Sequence, residues 1–312
     1  MPGEPLDQLR DQLDPGACRL VNLPERIWLF GGSGVFRVGS GEPCGSLRES
    51  FWRQTLAAPP AAGREWLSDL DIPENHEGWW AFSGYSDLLT FERDSCYLAR
   101  AIILFPESPG AIAELGALAV DDWIVDRLLV VVQRQFLEDG ARKSFLNLGP
   151  LKRADDRSLQ CVINTTSKHD LPIDDLEAVA TFLDARLPRV HHSEKLRLEN
   201  PTHRLLLIAD LIDLMLIARP PELQSALQHF GLDLPLEELE RAVKLLAFFG
   251  LARIDRWGLE HFFVRRTKVD RAWVDYTSKD GQPKFDRSRF KVDRRESLAG
   301  DRRQLAVLDR TA

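Results

Sequence analysis

Between Ala101 and Ala119 the chain reads AIILFPESPGAIAELGALA, and no other stretch limits the possible folds as tightly. Ala101 to Phe105 is an apolar run without alternation, which predicts a strand covered on both faces, as in the middle of a parallel sheet. Pro106 ends the run. Pro109 and Gly110 suit a turn into a helix, because proline presets φ and lacks only a donor that a first turn leaves unused. Glu107 therefore falls at the carboxyl end of a buried strand, and Glu114 falls on the helix that follows. Open α/β sheets bind ligands beyond the carboxyl ends of their strands, which makes Glu107 and Glu114 candidate catalytic groups and Ser108 and Gly110 candidate substrate contacts. Gly110, Ala111, Ala113, Gly116 and Ala117 are small enough to let a ligand approach. The plainer alternative is that a Glu near a helix start is solvated and serves the helix dipole.

A length of 312 residues allows two domains with separate cores. An apolar content of 44% with 29% charged residues describes a globular chain rather than a disordered or fibrous one. The net charge of −7 is uneven: about −10 over 1–202, about −1 over 203–267 and about +4 over 268–312. Only the last segment is suited to meet a polyanion. Cys18, Cys44, Cys96 and Cys161 lack metal-type spacing, and MPGEPLDQLRD is too polar for a secretory signal, so free thiols in the cytoplasm are expected. No apolar run reaches the ~18 residues of a membrane span.

Taken in order, residues 1–25 form a polar lead with a helix around Leu6 to Leu13. Arg26 to Phe30 predicts the first strand, ending in Gly31-Gly32-Ser33-Gly34. Glycines there allow close backbone approach, and their N–H groups can face a phosphate or ribose. The pattern is not G-x-G-x-x-G, so no dinucleotide fingerprint is read. Ser46-Leu47-Arg48-Glu49 matches a capping box opening a helix that runs to about Leu56. Ala57 to Gly63 reads as a loop, GWWAF (Gly78 to Phe82) as a second strand, and Asp87 to Tyr97 as a helix carrying Glu92. Arg127 to Gln133 and Leu159 to Asn164 predict further buried strands. Between them, Phe136 to Lys143 is a loop and Ser144 opens a helix. The alternation gives a compact parallel, flavodoxin-like sheet of about five strands. Leu171 to Leu187 is an amphipathic helix. Arg189 to Thr202, with His191-His192 at the surface, joins it to a second unit, and no metal is assigned.

That second unit has helices at Arg204 to Ile217, Pro221 to Phe230 and Leu236 to Phe249. Two strands follow, Ala252 to Arg256 and Leu259 to Arg266, turning at Trp257-Gly258. Helices followed by a two-stranded ribbon predict an α+β winged helix. Glu237, Glu238 and Glu240 on the third helix would repel phosphate. If this unit touches nucleic acid, the contact is expected from Arg253, Arg256, Arg265 and Arg266 in the wing and from the basic tail; the alternative is a protein-contact module. Trp273, Tyr276, Phe285 and Phe290 in that tail can stack on bases, or the tail can be a loosely ordered segment that docks on another subunit.

The ordered set FPESPGAIAELGA, RKSFLNLGP (Arg142 to Pro150), the Gly-Gly after the first strand and the C-terminal helices with ribbon resembles one family. It is that of the nucleoside 2-deoxyribosyltransferase-like effectors found beside bacterial retron reverse transcriptases. The resemblance covers most of the chain. It implies a polar lead over 1–25, a catalytic domain over 26–167, a helical connector over 168–202, a winged helix over 203–267 and a basic C-terminal segment over 268–312. It places the nucleophile at Glu114, with Glu107 orienting it or touching the ribose. It also makes Arg48 a candidate for a substrate phosphate or ribose, Glu92 for a base contact, and Ser144 and Asn147 for sugar, base or subunit contacts. Arg100 departs from the family, where an Asp commonly precedes the strand.

A carboxylate beneath an anomeric carbon can stabilise the charge generated as an N-glycosidic bond breaks, or form a glycosyl ester. The resemblance implies an N-glycosidase acting on NAD⁺ or a related nucleotide, with NAD⁺ as substrate rather than cofactor. It also implies a toxic anti-phage effector, held inactive by the retron reverse transcriptase and its multicopy single-stranded DNA–RNA hybrid, and a homo-oligomer. The competing reading is a non-catalytic nucleotide-sensing winged-helix regulator, which would keep the glycines but need no carboxylate at position 114.

Overall fold

The computed structural model describes residues 5–39, 41–57, 64–138, 143–266 and 271–310. The chain divides into two compact units, one formed by 24–82 with 86–190, the other by 1–23, 83–85 and 191–312.

The first unit is built on five parallel strands: β1 (Ile27–Phe30), β2 (Leu70–Asp71), β3 (Ala101–Leu104), β4 (Leu128–Gln133) and β5 (Gln160–Ile163). Their spatial order is β2-β1-β3-β4-β5, the doubly wound order of flavodoxin-like sheets. All residues of β1, β3 and β4 are buried, which is why these strands read as unbroken apolar runs. The helices α1 (Leu47–Ala57), α2 (Leu88–Tyr97), α3 (Pro109–Ala119), α4 (Lys152–Asp155) and α5 (Ile173–Arg186) fill the crossovers and follow the last strand. Asp87 caps α2 and Ser108 caps α3, each side chain accepting an N–H of the first turn.

GWWAF is not a strand. Trp79–Gly84 is a 3₁₀ segment, and the second strand is the two-residue Leu70–Asp71. Gly78 has φ +89°, and Trp79 turns inward to meet Trp28 at 5.0 Å and Phe91 at 4.9 Å between ring centroids. Those edge contacts outweigh the β preference of a Trp-Trp pair. Arg100 pairs with Asp69 at 3.1 Å, a local partner for the residue that departs from the family pattern. The predicted loop at Ala57 to Gly63 lies, beyond Ala57, outside the described residues, as does 139–142 of the loop expected at Phe136 to Lys143.

In the second unit, a helix at Pro201–Met215 is followed by helices at Pro220–His229 and Leu236–Phe248. An antiparallel sheet of Ile217–Ala218, Glu260–Arg265 and Ala252–Trp257 completes this group. The segment expected to be a plain junction contains a strand, His191–Lys195. It pairs with Arg19–Asn22 from the N-terminal lead, which pairs in turn with Val274–Asp275.

The C-terminal segment is not loosely ordered. Helices Arg287–Ser297 and Arg302–Asp309 and the 3₁₀ turn Leu298–Gly300 between them pack Leu298, Val307 and Leu308 against Ile217, Phe262 and Val264. Asp210, fully buried, accepts from the Trp273 N–H (2.7 Å), the Tyr276 hydroxyl (2.6 Å) and both Arg287 guanidinium nitrogens (2.9 Å each). Trp273, Tyr276 and Phe290 are therefore core residues, and the half-buried Phe285 meets Tyr276 edge-on and Phe290 at a tilt. The base-stacking alternative is overturned for Trp273, Tyr276 and Phe290, because a buried charge cluster and its aromatic cover hold them inside.

Candidate active site

The crevice lies where the strand order reverses, between the carboxyl ends of β1 and β3. Glu107, just past β3, spans it. Its Oε1 accepts from the N–H groups of Gly32 (3.1 Å) and Arg48 (2.9 Å), and its Oε2 from that of Leu47 (2.7 Å). One carboxylate thus ties the Gly31-Gly32 turn to the first turn of α1, a helix N-terminus that favours negative charge. Burial pushes the Glu107 carboxyl up, and the three N–H donors and the Arg48 charge oppose that rise. The Gly32 N–H, expected to face a substrate phosphate, is already committed to Glu107. A Cβ on Gly32 would sit 2.7 Å from Ser46 Cβ, so the turn needs glycine for space. Ser46 Oγ accepts from the Glu49 N–H at 3.1 Å, the first half of the predicted capping box. The Glu49 carboxylate reaches the Gly45 N–H (2.5 Å) rather than that of Ser46, and also pairs with Arg53.

Arg48 is buried. Its two terminal nitrogens hold Glu74 in a fork, at 3.1 and 2.5 Å, and one of them also reaches the Gly32 carbonyl at 3.3 Å. Its guanidinium lies 4.3 Å from the Phe36 ring centroid. Glu74 sits on a single 3₁₀ turn, Pro73–Asn75, and was not singled out from the sequence. An acidic residue in a short loop carries no periodic signal, and only the fold brings it to Arg48.

Glu114 and Glu92 face each other from α3 and α2 and line one small cavity with Phe30, Leu89, Ala117 and Leu118. Glu92 Oε1 accepts from the Trp79 indole N–H at 3.2 Å. Burial, with the Glu114 charge next in size, pushes the Glu92 carboxyl up to about 7. Burial also raises the Glu114 carboxyl, with Arg48 drawing it back and Glu74 adding to the rise. Glu92 is thus a carboxylate set against Glu114, while Glu107 is held by backbone N–H groups. Glu114 Oε2 is sealed from solvent and has no hydrogen-bond partner among the described residues.

The other candidates have local tasks. Ser108 Oγ accepts from the Ala111 N–H as the cap of α3, and Gly110 is exposed on its first turn. Ser144 Oγ accepts from Asn147, whose side-chain amide donates to the Phe136 carbonyl at 2.7 Å, so the pair pins the start of the π-helical turn Asn147–Leu151. In the other unit, Arg256 and Arg266 are exposed and Arg265 half-buried. Arg253 is paired with Asp255 at 3.3 Å and reaches the Val307 carbonyl, which directs its charge inward.

Among the described residues no His, Cys, Asp and Glu group could hold a metal ion. All four cysteines are free, and burial pushes the Cys18 and Cys161 thiols up to about 11, far from a nucleophilic thiolate. No described helix is long and apolar enough to cross a membrane.

A doubly wound sheet with buried carboxylates where its strand order reverses defines a class of α/β protein that binds ligands beyond the carboxyl ends of its strands. The family model of the STM3845 retron effector protein matches residues 45–254, about two thirds of the chain, and the chain belongs to that retron effector family. It is also similar to proteins of retrons Ec86 and Ec73 from Escherichia coli, each named "putative ribosyltransferase/DNA-binding protein". Identity is 35% over 140 residues for Ec86 and 36% over 74 residues for Ec73. Those matches cover 44% and 24% of this chain, and 39% and 22% of the relatives' own lengths, so the chain spans well under half of either relative.

Proposed function

We propose that the parallel-sheet unit is an N-glycosidase that cleaves NAD⁺ or a related nucleotide, with Glu114 as the nucleophile. The observation that carries this reading is the state of the Glu114 carboxylate. Glu107 is saturated by backbone N–H groups, whereas Glu114 keeps an oxygen buried in the crevice with no hydrogen-bond partner among the described residues. Leaving a carboxylate oxygen desolvated and unpaired opposes stability and suits a group that meets a developing positive charge. Attack of Glu114 on C1′ forms a glycosyl ester as the electron pair of the C–N bond leaves with the base. Nicotinamide leaves a cationic nucleotide as a neutral molecule, so that step needs no proton. Water then opens the ester, and Glu92, titrating near neutrality, is the neighbouring group able to take its proton. Glu107 acts by holding the Gly31-Gly32 turn and α1 in place.

The name of the Ec86 and Ec73 relatives, with its ribosyl-transfer and DNA-binding parts, supports this division of labour. The helices at 201–215, 220–229 and 236–248 with their ribbon read as a winged helix. Through it the retron reverse transcriptase and its DNA–RNA hybrid would keep a toxic, oligomeric NAD⁺-consuming effector silent, with Arg256, Arg265 and Arg266 facing the nucleic acid.

The test is incubation of the full chain with NAD⁺ and, separately, with deoxynucleosides, reading free base. Glu114→Gln should lower base release about a thousandfold while retaining the folded state. Equal release by wild type and Glu114→Gln would remove Glu114 from the chemistry, and no release by the wild type from either substrate would leave a nucleotide-sensing regulator.

A further inference from the structure

The Gly32 N–H, an anion-binding group expected at the Gly31-Gly32 bend, is not open to a ligand. The N–H groups of Gly32, Leu47 and Arg48 all end on Glu107. A buried cation beside the bend able to receive a substrate anion is the Arg48 guanidinium, and its fork is occupied by Glu74. The two partners differ in how firmly they are held. The Arg48 side chain is 4% exposed, packed on Phe36 and hydrogen-bonded to the Gly32 carbonyl, whereas Glu74 is 33% exposed on one short turn. The arginine is the fixed half of the pair and the carboxylate the half free to swing into water.

We propose that Glu74 is a built-in stand-in for a substrate phosphate, occupying the two-nitrogen face of Arg48 until a phosphorylated nucleotide displaces it. The inference rests on the reading of the crevice as a nucleotide-cleaving site and deepens it, naming the 5′-phosphorylated nucleotide over the free nucleoside as substrate class. A carboxylate and a phosphate offer a guanidinium fork the same pair of oxygens, so the exchange conserves both charge-assisted hydrogen bonds. Glu74 recovers its hydration on leaving, because it is already partly in water. A nucleoside has no group to trade for it and meets a closed site. Glu74 also adds negative charge near Glu114, so its departure leaves Arg48 to a phosphate beside the reacting carboxylate.

Inorganic pyrophosphate is the probe, and its binding to the full-length protein is measured by calorimetry. No turnover is read, so the outcome is independent of whether Glu114 is the nucleophile. Glu74→Gln should bind pyrophosphate about tenfold more tightly than wild type, and the double variant Glu74→Gln with Arg48→Gln should lose that gain. Equal affinity in wild type and Glu74→Gln overturns the proposal, as does a gain that survives loss of Arg48, which would reflect net charge alone. Should Glu74→Gln fail to fold, the Arg48 Nε–H resonance of the wild-type protein decides. It should shift saturably with pyrophosphate and stay unmoved by adenosine; no shift with pyrophosphate overturns the proposal equally.

Discussion

Three glutamates within one sheet end have three different fates, set by what surrounds each carboxylate. Glu107 meets three N–H donors and becomes a strut. Glu92 meets an indole N–H, a buried wall and a second carboxylate, and titrates near 7. Glu114 meets no hydrogen-bond donor at one oxygen among the described residues. The raised Glu92 pKa makes stability depend on pH. Between about 4.5 and 7 the folded protein holds a proton on Glu92 that the unfolded chain has released, so stability falls as pH rises through that window and levels above it. A tenfold difference in proton affinity between the folded and unfolded chain corresponds to about 1.4 kcal/mol. Glu92→Gln keeps an acceptor for Trp79 and should raise the melting temperature at pH 8 but not at pH 4.5. An equal change at both pH values, read by calorimetry, would separate Glu92 from the titration. From sequence, Glu107 and Glu114 were legible because both belong to one strand-turn-helix stretch. The place of Glu92 beside Glu114 was not, since it comes from α2.

At the scale of elements, the sheet was legible wherever burial on both faces wrote a continuous apolar run, as in β1, β3 and β4. It was least legible at β2, where two residues suffice for pairing and leave no pattern to count. The Trp79 segment misled because aromatic residues favour strands when only propensity is weighed, and its inward packing depends on Trp28 and Phe91. The β1–α1 connection shows how a turn is fixed by space rather than by φ alone. Gly32→Ala would push Ser46 and Glu107 apart at the same point, since its Cβ would meet them at 2.7 and 3.2 Å. A cost of about 1–3 kcal/mol in unfolding free energy is expected, together with loss of base release. Unaltered denaturant stability of this variant would show that the bend has slack the geometry denies.

For the whole molecule, the N-terminal lead and the C-terminal segment had no assigned structural role, yet they meet as neighbouring strands of one sheet. The cluster around Asp210 explains why the C-terminal segment is bound into the second unit. Arg287 also pairs with Asp213 at 3.0 Å, and Lys291 reaches Asp213 at 2.6 Å. Removing one member of a buried pair strands its partner, and Asp210→Ala should destabilise this unit by about 3–5 kcal/mol. Hydrogen exchange should then show lost protection in 287–309 while β1 to β5 keep theirs. Uniform protection in both units after Asp210→Ala would mean that the cluster does not hold the segment.

The sequence by itself determined the buried parallel strands, the capped helices between them and the stretch that carries two candidate carboxylates. These are properties of short range: apolar periodicity, proline and glycine stereochemistry, and side chains that cap the next turn. Tertiary structure alone decided that Glu92 lines a cavity with Glu114, that Glu74 closes the Arg48 fork, and that Trp273, Tyr276 and Phe290 of the charged C-terminal segment are core. Each of those outcomes depends on distance between residues far apart in the chain. Charge and solvation act through space, so a carboxylate's chemistry follows from its neighbours and not from its place in the sequence.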